Sequence, residues 1–182
     1  MPTNALQNIA AAMQRVESVL HRRPQAALHD DAPATARWQS GTRVVASHAD
    51  GTQLVTDMPS ELGGSGNQVT PGWLFRAGLA SCAATRIAMG AAAAGIELTM
   101  LEVRASSRSD TRGMLGMADD AGAPFCAGPR DMQLHIRIAA PGVPLAQLRA
   151  LVEHSQRCAP ISAAVQDAVP IALHIDVDTH IS

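Results

Sequence analysis

Three cysteines, Cys82, Cys126 and Cys158, stand far apart in the sequence, with no CxxC pair among them. Such spacing builds no structural zinc site, which needs clustered Cys and His. The odd number argues against a secreted disulfide framework and favours free thiols. A thiol becomes a nucleophile where a cation or a helix start favours its thiolate, and a second thiol can then receive the oxidised sulfur. Every one of the 14 basic residues is Arg, and neither Lys nor Tyr occurs. Arg is therefore the fixed cation on offer, and Schiff-base lysine, P-loop lysine and tyrosine acid–base chemistry are excluded. No HExxH, GxSxG, Walker or dinucleotide fingerprint is present. His135 and His174 fall on the polar phases of strands, and His21, His29, His48, His154 and His180 show no ligand spacing. All seven read as solvated imidazoles, and no metal or cofactor is expected.

The elements around the cysteines follow from local pattern. Thr70-Pro71 opens a helix, with Thr as N-cap and Pro at the first helical position, that runs to about Ala94 and stops at Gly95. It is apolar or small almost all round, so it belongs in the middle of a domain or interface. Cys82 lies on it, twelve residues after the cap. A helix from Leu145 to about His154 is followed by a break at Arg157-Cys158-Ala159-Pro160 and a shorter helix to Ala168, which places Cys158 near a helix start. Arg43–Ser47 and Gln53–Thr56 flank an Asp50-Gly51 hairpin turn. Residues 98–108, 132–138 and 171–177 read as further strands, and 109–129 as a long loop. This order of strands, buried helix, strands, helix pair and strand is α+β rather than doubly wound. Upstream, Leu6, Ile9, Met13, Val16 and Leu20 form a narrow apolar helical seam. The expected division is an amphipathic helix over 1–24, a linker over 25–34 and one domain over 35–182.

Composition narrows the function. A chain of 182 residues with 47% hydrophobic and 16% charged residues buries a core, and a net charge of -2 removes the simplest case for nucleic acid or an anionic membrane. Only Trp38, Trp73, Phe75 and Phe125 carry rings large enough to stack on bases. No stretch reaches the ~18 apolar residues of a membrane span, and no basic region precedes a long apolar core as in a secretory signal. The expectation is a cytoplasmic protein, with a mitochondrial presequence around Arg15, Arg22 and Arg23 as the rival. From the residues alone, Cys82 reads either as a small hydrophobe packed among alanines or as a reactive thiol.

The stretches Glu61-Leu62-Gly63-Gly64-Ser65-Gly66, Thr70-Pro71-Gly72-Trp73-Leu74-Phe75 and Leu79-Ala80-Ser81-Cys82 resemble the OsmC/Ohr family. Arg157-Cys158-Ala159-Pro160-Ile161-Ser162 resembles its second cysteine motif. The likeness covers about residues 35–178, and Asp110–Gly116 is similar to a loop of its OsmC-like branches. It implies an OsmC-like fold in which two central helices pack against antiparallel sheets in an intertwined homodimer, with two sites at the subunit interface. It further implies reduction of organic hydroperoxides in oxidative-stress defence, with Cys82 as peroxidatic thiolate, Cys158 as resolving thiol and a dithiol reductant to reset the pair. Arg43 is the activating cation of this reading, with Arg37 as its rival.

In one place the chain departs from the peroxidases. They carry, after the Pro of the helix-opening motif, a Glu that pairs with the Arg; here that place is Gly72. Asp57, Glu61 and Asp110 are the carboxylates that could take its part. The alternatives to a peroxidase are an OsmC-like protein that binds a small apolar ligand or senses redox state, and a helix-mediated scaffold in which both cysteines are packing.

Overall fold

A computed structural model describes residues 3–177; His180 and the last residues of the expected domain lie outside them. Among the described residues, five strands form two separate antiparallel sheets, and five α-helices accompany them, one of them central. Strands β1 (Thr35–Ser40), β2 (Arg43–Ser47) and β3 (Gln53–Thr56) form the first sheet in that order. Val44 pairs with Thr56 and Ser47 with Gln53, and Gly51 turns the hairpin at a φ of 92°. The second sheet pairs β4 (Met100–Arg108) with β5 (Arg130–Ala139).

The central helix α2 spans Pro71–Ala93. The Thr70 hydroxyl accepts the Trp73 N–H at 3.1 Å, and Pro71 fills a position whose N–H would have no helical partner. At its other end Gly95 takes a φ of 66°, its N–H reaching Ala92 O and that of Ile96 reaching Ala91 O. This double bond closes the last turn as a Schellman motif, and the buried Ile96 supplies its apolar contact. Leu79, Ala83, Ile87 and Ala91 form the buried seam of α2. Ala91 and Ile96 continue into a core with Ala140, Leu148 and Leu151, covered by Leu98, Ile138 and Val143. Helices α4 (Leu145–Arg157) and α5 (Pro160–Gln166) both pack on α2, as does β4. Burying each large aliphatic here contributes roughly 1.5–3 kcal/mol.

The N-terminal helix α1 (Thr3–Arg22) also lies on α2, with Leu6, Met13 and Leu20 half-buried. The seam read from the sequence is only partly covered, since Val16 remains 57% exposed. The loop between β4 and β5 is more ordered than its sequence suggests. Asp110 caps the short helix α3 (Thr111–Met114), and its carboxylate takes Arg112 Nε and Nη2 at 3.0 and 2.7 Å. The same guanidinium stacks 3.8 Å from the centre of the Phe125 ring.

Residues 171–177, read above as a strand, are extended but paired with nothing among the described residues. Ile171, Leu173, Ile175 and Val177 are largely exposed. Their alternation is real, but among the described residues they pair with none of the open edges of the two sheets.

Candidate functional site

The two motif cysteines lie on elements that pack together, Cys82 on α2 and Cys158 between α4 and α5. Gly78, Cys82, Arg86 and Gly90 step along one i, i+4 row of α2. At the start of the row, a Cβ on Gly78 would stand 3.8 Å from Ile161 Cδ1 of α5. At its end, a Cβ on Gly90 would stand 2.8 Å from Ser155 Oγ and 3.0 Å from Leu151 Cδ1 of α4. Cys82 lies between these two contacts, and Cys158 lies between Ser155 and Ile161 in the joint from α4 to α5. Gly90 lets α4 approach, and a side chain there would push against it; Gly78 leaves room for a methyl.

Cys82 is half-buried, whereas Cys126 and Cys158 are exposed, and all three are free thiols. Cys158 is the C-cap of α4 as well as the residue before the α5 cap. The helix start read from the sequence is thus only a seven-residue helix, and Cys158 stands at the carbonyl end of the longer α4. That end gives a negative sulfur no support. Instead, Cys158 Sγ faces His154 Nε2 at 4.0 Å, one turn back on α4.

An apolar cavity of about 470 Å³ opens beside this joint, between the first sheet and the two helices. Val44, Thr56, Phe75, Gly78 and Ile161 are among its lining residues. It therefore reaches positions one turn before Cys82 and three residues after Cys158. No Arg is among its lining residues.

Arg43 has a carboxylate partner after all, and it is Asp57. Arg43 Nε lies 3.7 Å from Asp57 Oδ2, while its Nη2 donates to Asn67 Oδ1 at 2.9 Å. Asp57 is almost wholly buried and also accepts the Thr42 and Ser65 hydroxyls and the Met58 and Ser65 N–H groups. These bonds, the Ser65 hydroxyl first and Thr42 next, hold its carboxyl well below the usual carboxylate range. The network ties the glycine-rich loop 63–67 to the sheet. Of the other carboxylates considered for this place, Asp110 holds Arg112 and Glu61 accepts only the Ser60 hydroxyl.

Strand alternation sets Val44 and Ala46 toward the cavity, and Arg43 and Val45 toward the opposite face of the sheet. Arg37 pairs with Val45 on the neighbouring strand and is exposed on that same opposite face. Cys82 thus lies on the α2 row that packs against α4 and α5, and Cys158 in the joint between those two helices, while both candidate arginines of the same chain face away from the cavity across the first sheet. Asp57 was one of three open choices in the sequence; Ser65 was marked only as part of the glycine-rich family stretch, and Thr42 and Asn67 carried no signal until the loop was seen folded over them. Among the described residues, no three His, Cys, Asp or Glu side chains converge as metal ligands. No helix among them is long and apolar enough to cross a membrane.

The family model described as OsmC-like protein matches residues 64–174, more than half of the chain and both cysteine motifs. This chain belongs to the OsmC-like family. Solved structures agree in fold. An OsmC-like protein from Mycoplasma pneumoniae superposes with a TM-score of 0.63 at 18% identity, over 76% of this chain and 89% of that one. An OsmC-like protein of unknown function from Vibrio cholerae gives 0.61 at 14% identity, over 76% and 95%. An organic hydroperoxide resistance protein OsmC from Legionella pneumophila gives 0.52 at 23% identity, over 76% and 92%. No curated protein sequence matches this OsmC-like chain. The α+β reading stands as a mixed helix and antiparallel-sheet fold shared with OsmC and Ohr structures.

Proposed function

We propose that this OsmC-like protein reduces organic hydroperoxides with its own thiols. Cys82 attacks the outer peroxide oxygen, the O–O bond breaks, and the alcohol leaves, so that the sulfur becomes a sulfenic acid. Cys158 then closes a disulfide with loss of water, and a dithiol reductant restores both thiols. The observation that supports this reading is the packing of α2 on α4 and α5: Gly78 faces Ile161 and Gly90 faces Ser155, positions that flank Cys82 and Cys158 in their own elements, beside one apolar cavity. A cavity lined by Val44, Phe75 and Ile161 suits an alkyl group better than hydrogen peroxide. One equivalent of cumene hydroperoxide should remove two thiols per chain. Untouched thiols would transfer the cavity to the rival reading, binding of a small apolar ligand.

The working unit of this reading is a homodimer. Every residue of β1 is exposed, Trp38 by 71%, and the alternating tail from Ile171 to Val177 lies uncovered. Apolar surface of this extent calls for a protein partner. The location of Arg43 across the sheet fits a site completed from both subunits, each delivering its arginine to the other's Cys82. Light scattering at micromolar concentration should give twice the chain mass. Mixing Cys82→Ser with Arg43→Ala protein should recover activity that neither has alone; a monomer, or no recovery, would remove the subunit-sharing scheme.

A further inference from the structure

Cys158 has one polar neighbour among the described contacts of its side chain, and its position explains why one is needed. Cys158 is the C-cap residue of α4, its backbone N–H donating to Ser155 O, so it sits at the carbonyl end of the helix, which does nothing to favour the thiolate that resolution requires. His154 stands in the last turn of the same helix, with Nε2 at 4.0 Å from Cys158 Sγ.

We infer that His154 is the general base of the resolving step, an inference that rests on the peroxidase reading of Cys82 and Cys158. The Cys158 S–H proton passes to His154 Nε2 as the sulfur attacks the Cys82 sulfenic acid. The S–S bond forms, the S–O bond breaks, and the departing hydroxide takes the proton from His154 and leaves as water. Neutral His154 is regenerated, and the two electrons lost by the thiol pair are those the hydroperoxide took. A contact of this length shortens as the sulfur turns to attack. Glu153 and Arg157 flank His154 on α4, α5 carries no charged residue, and on the α2 side Arg86 Nη1 reaches the neighbourhood of Ser155. His135 on β5 is engaged instead with Gln133 at 3.3 Å. None of these forms an ion pair with His154 that would compete for its proton.

The test separates the two chemical steps in the full-length protein. Wild type and His154→Gln are mixed with one equivalent of cumene hydroperoxide, quenched over time and followed by mass spectrometry. His154 is exposed, so folding should not depend on it, and circular dichroism checks this. The variant should form Cys82 sulfenic acid at the wild-type rate but close the disulfide about 10²-fold more slowly, as loss of a general base predicts. The defect should shrink as the pH is raised and hydroxide takes over the proton. Disulfide closure at the wild-type rate and with the wild-type pH profile overturns the role. A second readout needs no peroxide: iodoacetamide should alkylate Cys158 more slowly at neutral pH in His154→Gln, and an equal rate also overturns the inference. If neither protein forms a sulfenic acid while alkylation differs, the Cys–His pair stands and it is the peroxidase reading that falls.

Discussion

Substituting Ala for glycine at two points of α2 should move stability in opposite directions. Within a helix, Gly→Ala by itself gains roughly 0.8–1 kcal/mol. At Gly78 the new methyl would meet Ile161 Cδ1 at 3.8 Å, an ordinary van der Waals contact, so the gain should be kept. At Gly90 it would stand 2.8 Å from Ser155 Oγ and 3.0 Å from Leu151 Cδ1, both on α4. Ser155 is fully buried, which leaves its hydroxyl little room to turn. Overpacking of this kind costs about 1–3 kcal/mol. After subtracting the helix gain, Gly90→Ala should be destabilising by roughly 0–2 kcal/mol. For a chain of this size each kcal/mol shifts Tm by about 2–4 °C. The Ser155 hydroxyl has no hydrogen-bond partner, so Ser155→Ala alone should be neutral or stabilising. Combined with Gly90→Ala, it should recover part of the loss, leaving the contact with Leu151. Urea denaturation of the two singles and the double measures that coupling directly. The packing account is refuted if Gly90→Ala stabilises as Gly78→Ala does, or if Ser155→Ala rescues nothing.

Asp57 makes the fold sensitive to acid. Its carboxyl is held low in the folded state, so its contribution is complete above the unfolded carboxylate value near about 4 and fades as pH falls toward the folded one. Urea midpoints should therefore show Asp57→Asn well below wild type at neutral pH, with the gap closing in acid; equal midpoints at neutral pH would deny the network any stabilising role. Gly113→Ala would bring a Cβ to 2.2 Å from the Cys126 carbonyl oxygen, a backbone clash that no rotamer relieves. The loop over 109–129 should open and become sensitive to trypsin at Arg112, and an unchanged digestion pattern would contradict the contact. Arg43→Ala should slow peroxide consumption about 10²-fold, as the loss of a placed charge does, while Arg37→Ala should change it little under the same conditions. Equal losses would reverse the choice between the two arginines.

The bounds of α2 were legible from Thr70-Pro71 and Gly95, and the first hairpin from Asp50-Gly51, because caps and turns act within one helical turn or four residues. Both motif cysteines were legible for a different reason: their flanking residues resemble a family. Where α4 ends was misjudged. Read as stopping near His154, it runs to Arg157, since nothing before Pro160 interrupts it. That extra turn puts His154 and Cys158 on one face, a pairing the i, i+4 spacing could have signalled. Other features depended on how distant segments fold back. Asp57, Glu61 and Asp110 were equal candidates to hold Arg43 until loop 63–67 closed over β2 and buried Asp57 among the Ser65 and Thr42 hydroxyls. Residues 171–177 show the converse. Alternation specified their two faces, but a strand also needs an edge whose N–H and C=O groups accept it. Among the described residues they join neither sheet, so tertiary structure rather than sequence pattern decided that they stay unpaired.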